Sequence, residues 1–260
     1  MLTRSAFAAV FITLTLCAAV CAAPIDWDHV HLMAPDTKAA AEWYQKLFGG
    51  EVTKSGPFDA VLFGTNLVKF RKGEGDVKRS EGSAVDHIGF SFDDIQAKLD
   101  AVTAAGGKVL QPPREVPSAG FTYSMAEDPW GTKIEILNDK DLKGFHHVHL
   151  ISADPEATMK WYSDVYGGEI TTFKGLAPLP SIKYNNMWLI CNKSQNAVVP
   201  SPGTSIDHIG FTPVDFKALI ATLESKGATF DVGPQKSGDH WMAFARGPEG
   251  IKIEIVGRPE

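Results

Sequence analysis

Four times along the chain a histidine opens the same alternation: His, an apolar residue, any residue, an apolar residue, and an aspartate seven positions after the histidine. The pairs are His29 with Asp36, His87 with Asp94, His147 with Asp154 and His208 with Asp215. Apolar positions at every second residue predict a strand. An aspartate just beyond it stands where a helix N-cap is wanted, because its carboxylate can accept from the free N–H groups of the first turn. The spacing therefore predicts helices over 37–48, 95–105, 155–166 and 216–226. Pro155 falls at a first helical position, and Gly49, Gly106, Gly167 and Gly227 act as stops. Short apolar runs separated by turn residues follow each helix, such as VTKSGPF, AVLFGTN and LVKFRK in the first unit. They predict two or three antiparallel strands.

The unit is thus a strand, a helix and about three strands, and its recurrence is internal repetition rather than chance. WDHVHLMAPDTKAAAEWYQKLFGGEVT (Trp27 to Thr53) matches FHHVHLISADPEATMKWYSDVYGGEIT (Phe145 to Thr171), and EDPWGTKIEIL (Glu127 to Leu137) matches RGPEGIKIEIV (Arg246 to Val256). DHIGF occurs letter for letter at Asp86–Phe90 and Asp207–Phe211. These matches predict an α+β chain of two homologous domains, 24–140 and 141–260, joined near the polar NDKDLKG. Each domain divides into two βαβββ modules, at 27–72 and 85–137, then 145–192 and 206–256.

Three positions in each half offer metal-ligating chemistry: His29, His87 and Glu135, then His147, His208 and Glu254. Two neutral imidazoles and a carboxylate form a facial triad suited to Fe2+ or Mn2+, with Zn2+ also feasible. His31 and His149 follow the presumed ligands by two, so each shares a strand face with its neighbour. Each is open to three readings: a fourth ligand, a proton acceptor near a substrate, or packing. DHIGF has Gly89 and Gly210 at that place, which leaves room beside the ligand.

The fourfold HVHL/DHIGF pattern with its terminal DPWGTKIEIL resembles the vicinal oxygen chelate superfamily of glyoxalase I, bleomycin-resistance proteins and extradiol dioxygenases. The resemblance covers Trp27 to Val256. It implies that modules pair into two eight-stranded cup-like domains, each around one metal, with ligands from the first strand of each module and the last strand of the pair. On that basis each half is expected to close its own cup. Proteins like glyoxalase I add a carboxylate late in the first module, where this chain offers Phe70 and Leu189 or Ile190. The dioxygenases add an acid/base His and a Tyr, for which Tyr123 and His240 are the candidates. The implied function is an exported metal-dependent enzyme acting on a small oxygenated or aromatic compound by dioxygenase-like chemistry. A non-catalytic binding or resistance protein and a glyoxalase-type lyase or isomerase are the alternatives.

Composition narrows the partners. With 25 Lys and Arg against 31 Asp and Glu and no basic cluster, the chain lacks the cationic surface that nucleic acid requires. Residues 1–23 join Arg4 to an apolar run ending in small residues, which reads as a secretory signal peptide. The run is shorter than the ~20 residues of a spanning helix. The expectation is a periplasmic or secreted protein, free of the membrane after cleavage, compatible with a monomer and binding a small molecule. Cleavage would remove Cys17 and Cys21 and leave Cys191, in the apolar stretch MWLIC, without a disulfide partner.

Overall fold

The computed structural model describes residues 25–73 and 75–258, so the expected signal segment lies outside the described residues. The first module runs β1 (Ile25–Met33), α1 (Thr37–Phe48), β2 (Glu51–Ser55), β3 (Phe58–Phe63) and β4 (Asn66–Arg71). The second runs β5 (Val85–Ser91), α2 (Ile95–Ala104), β6 (Lys108–Val116), β7 (Phe121–Glu127) and β8 (Lys133–Leu137). The third has β9 (Gly144–Ser152), α3 (Pro155–Tyr166), β10 (Ile170–Thr172), β11 (Pro180–Tyr184) and β12 (Met187–Lys193). The fourth has β13 (Ile206–Pro213), α4 (Phe216–Ser225), β14 (Phe230–Ser237), β15 (His240–Arg246) and β16 (Lys252–Val256). Every helix starts where its aspartate caps it: Asp36, Asp94, Asp154 and Asp215 accept from the N–H of Ala39, Ala97, Ala157 and Ala218 at 2.9–3.0 Å.

The strands form two eight-stranded sheets, in the orders β14-β15-β16-β13-β1-β4-β3-β2 and β10-β11-β12-β9-β5-β8-β7-β6. Here the structure corrects the expected pairing. The first module joins the fourth through β1 and β13, and the second joins the third through β5 and β9, both antiparallel. Neither half closes a cup by itself.

The cause lies on the other face of the strands. Odd positions of β5 face the cup, while Ile88 and Phe90 face the helix layer, where Phe90 stacks on Phe48 of α1 at 4.3 Å. Phe211 of β13 stacks likewise on Tyr166 of α3 at 4.2 Å. Consecutive modules thus meet helix side to helix side, within one continuous core that draws on all four. Each such aromatic pair adds about 0.5–1.5 kcal/mol beyond the area it buries. The cup faces remain for the partners across the chain. Cys191 is buried, and burial pushes its thiol up to about 12, which makes it an inert core residue. No helix among the described residues is long and apolar enough to cross a membrane.

Candidate metal centres

Each sheet gathers four donors at its seam. His29 and His31 of β1, His208 of β13 and Glu254 of β16 form one group; His147 and His149 of β9, His87 of β5 and Glu135 of β8 form the other. Within each group the donor atoms all lie within 4.8 Å of one another. The six expected ligands are therefore all at the centres, but sorted differently. His29 and His87 lie in different sheets, as do His147 and His208, because the module pairing runs across the halves.

Strand register explains the convergence. His29 pairs with Gly210, which pairs with Glu254 on its other side, and His31 pairs with His208. In the other sheet Gly89 stands between His147 and Glu135, and His87 faces His149. A Cβ on Gly210 would lie 2.2 Å from Cε1 of His29, and one on Gly89 would lie 2.0 Å from Cε1 of His147. The glycine of DHIGF is a notch through which the partner strand's imidazole reaches the carboxylate. The alternation HVH against HIG was visible in the sequence, but its purpose required the cross-strand neighbour.

The residues fit a divalent ion. Bonds of ~2.1 Å at right angles put neighbouring donors about 3.0 Å apart. The observed separations are 3.0 Å for His31 Nδ1 to His208 Nε2, 3.0 Å for His29 Nε2 to Glu254 Oε2, and 3.2 Å for His208 Nε2 to Glu254 Oε2. At the second centre Glu135 Oε2 lies 3.2 Å from His87 Nε2 and 3.7 Å from His147 Nε2. The Nε2 atoms of His29, His31 and His147 and both nitrogens of His149 are buried without a hydrogen bond. The donor atoms of each group nonetheless lie close enough together to share one ion. Buried polar atoms left unpaired are costly, and an ion would satisfy one nitrogen of each ring.

Electrostatics favour the ligating forms. Burial, and then the imidazoles of His208, His146 and His87 respectively, push His31, His147 and His149 far down, which keeps them neutral. Burial and Lys69 oppose charge on His29, but the carboxylates of Asp28 and Glu254 outweigh them and raise it. Burial likewise opposes charge on His87, and Asp86 and Glu135 outweigh it. Ion binding at these positions must release protons.

The groups behind the ligands differ between centres. His29 Nδ1 lies 2.5 Å from Asp28 Oδ1, while Asp28 Oδ2 accepts from Thr212 and the carboxylate also faces Lys69. His208 and His87 are held alike by Asp207 and Asp86, backed by Lys252 and Lys133. His147 has no such carboxylate, since His146 occupies the place of Asp28. Its Nδ1 lies 2.8 Å from His146 Nδ1, and His146 Nε2 lies 3.0 Å from Asp139 Oδ2. The carboxylate assigns the proton of His146 to Nε2, so His146 Nδ1 accepts from His147 Nδ1–H. That leaves a bare lone pair on His147 Nε2. Lys174 donates to Asp139 Oδ1 at 2.6 Å and also to Asp141. His146, Asp139 and Lys174 were not legible as site residues, because nothing in their spacing marks them.

Two further expectations change. Phe70 does not stand at the place of a fourth carboxylate. It faces the core beside Tyr44, and Lys69 is the residue registered with His31. Ile190 is its counterpart opposite His149. Tyr123 lines a cavity of about 380 Å³ over the second centre, with Phe121, Met125, Phe173, Leu176 and Leu179. His240 belongs to neither donor group. It lies at the start of β15, half-exposed, with Nδ1 3.1 Å from Asp239.

Known proteins resemble this chain in sequence and in fold. A lactoylglutathione lyase of Haemophilus influenzae is 27% identical over 126 residues, which is 44% of this chain and 93% of that protein. One from Arabidopsis thaliana is 27% identical over 132 residues, 46% of each chain, so the chain matches about half the length of that relative. The crystal structure of glyoxalase I from Zea mays superposes with a TM-score of 0.71, covering 90% of this chain and 92% of that one. At 18% identity that likeness is one of fold. A model of one family matches residues 27–136 and again 144–255, spanning both halves of the repeat and all eight donors. The chain belongs to the Glyoxalase/Bleomycin resistance protein/Dioxygenase superfamily.

Proposed function

We propose that the protein is a metal-dependent enzyme that binds a small substrate through two neighbouring oxygens and isomerises or cleaves it by proton transfer, without consuming oxygen. The observation that carries this reading is the fourth donor. His31 and His149 converge with the three expected ligands at each centre. Four protein donors would leave two positions on a six-coordinate ion, enough for two substrate oxygens with none over for O2. A divalent ion held there would polarise both oxygens and stabilise negative charge developing on them.

The chain's own residues supply the rest. Tyr123 lines the cavity, and a tyrosine hydroxyl there can hold or return a proton. The apolar residues around it exclude water from the reacting atoms. In the proposed step a proton leaves one substrate carbon and returns to its neighbour, with no net oxidation. The relatives named lactoylglutathione lyases favour this class of chemistry over oxygenation.

Metal analysis of protein purified without chelators should give two equivalents per chain. Turnover of α-hydroxycarbonyl compounds should proceed equally under argon and in air, and catechols should not be turned over. Activity confined to air and accompanied by oxygen uptake would make the protein a dioxygenase. Absence of metal would leave a binding module. Tyr123→Phe should lower turnover about 10²-fold with metal content unchanged.

A further inference from the structure

The repeat breaks at one place beside a metal centre. In the first module β2 and β3 are joined by residues 56–57, whereas their counterparts β10 and β11 are joined by residues 173–179. The longer connection carries Phe173, Leu176 and Leu179. With Phe121, Tyr123 and Val116 they form a hydrophobic cluster separate from the main core, and they wall the cavity that contains His147, His149 and Glu135. At the first centre the equivalent connection is a tight turn, and Phe58 packs directly on the His31 ring, with centroids 4.7 Å apart.

The wall is fixed in place. Phe173 N–H donates to the carbonyl of Leu179, Leu176 N–H to that of Phe173, and Leu179 N–H to that of Leu176. Lys174 ties the segment to Asp139, which in turn orients His146. Among the described residues lining the cavity Lys133 is the only lysine or arginine. Its ammonium is engaged by Asp86 at 3.0 Å and Glu81 at 3.3 Å. A carboxylate on a ligand would find no counter-ion there and would lose its hydration against phenyl and leucyl groups.

Building on the metal-centre reading, we infer that the second centre is the substrate site. Its 173–179 wall selects a substrate whose group beside the two oxygens is neutral and apolar, against a charged, peptide-bearing adduct. Aromatic and branched aliphatic groups fit this wall. Phe173 and Phe121 offer ring edges and faces, and Leu176 and Leu179 are half-buried side chains that a ligand would cover.

The test uses manganese-loaded full-length protein and three hydroxamates that share one chelating group: acetohydroxamate, benzohydroxamate, and a hydroxamate linked through sulfur to glutathione. Calorimetry should show benzohydroxamate binding about tenfold tighter than acetohydroxamate, from apolar burial alone. The glutathione probe should bind no tighter than acetohydroxamate. The double variant Leu176→Ser, Leu179→Ser should shrink the tenfold gap to about threefold while leaving manganese content and acetohydroxamate affinity as they were. Equal affinity for the first two probes, tightest binding of the glutathione probe, or a gap that survives the double variant would each overturn the inference. Manganese content is read first. Protein that takes up none at either centre overturns the metal reading, and this inference with it, whereas loaded protein indifferent to the phenyl group overturns this inference alone.

Discussion

A single methyl group separates a working notch from a blocked one. Gly89→Ala would put a carbon 2.0 Å from the His147 ring, and Gly210→Ala one 2.2 Å from the His29 ring. Each ring must then swing off its lone-pair direction. Overpacking of this kind costs about 1–3 kcal/mol of stability, but the sharper readout is metal: elemental analysis should show each variant short of one equivalent. Retention of both equivalents would mean that the rings are not ligands. The relay behind His147 gives a second expectation. Asp139→Ala removes the carboxylate that fixes the His146 tautomer, so one of the two ions should bind about 10–100-fold more weakly. Asp28→Ala should weaken the other. A competition titration with a chelator distinguishes the two variants from a general loss of fold, which would weaken both sites together.

Elements were legible because each start is written chemically. An aspartate caps every helix, and the histidine-led alternation before it fixes which strand face is apolar. The connection at 173–179 was not legible, since FKGLAPL carries turn residues and apolar residues without a period. One contact between elements carries a pH signature. Asp128, in the turn before β8, accepts from Tyr44 of α1 at 2.9 Å and from the N–H groups of Trp130 and Thr132. Burial raises its carboxyl from 3.8 to about 6 despite those bonds. A raised carboxyl favours the folded state while protonated. Its contribution is complete below 3.8, declines as the pH climbs through about 6, and amounts to about 3 kcal/mol for a shift of about two units. Asp128→Asn should therefore gain stability relative to the parent at pH 8 compared with pH 4. Thermal melts across that window that keep a constant difference would show that Asp128 ionises normally.

At the scale of the molecule the sequence allowed two answers. A strand bearing HVHL needs a partner bearing HIG, which excludes pairing the first module with the third. That rule is met equally by the second module and the fourth. Aromatic packing of Phe48 on Phe90 and Tyr166 on Phe211 decides the matter by occupying the helix sides of consecutive modules. Variants should report the same topology. Glu135→Ala and His147→Ala lie in opposite halves of the chain yet empty one centre, so the double variant should lose no more metal than either alone. Glu135→Ala with Glu254→Ala should lose both ions. The crossed pairing also sets an order of events in time. The second sheet joins modules adjacent in the chain, whereas the first joins residues as distant as His31 and His208, 177 positions apart. Closing so long a loop is slow, and during synthesis the β1 edge must wait unpaired until the fourth module emerges. Refolding followed by pulsed hydrogen exchange should therefore protect the β5–β9 amides in an early phase and the β1–β13 amides in a later one. Conditions that favour aggregation should act through that exposed early edge.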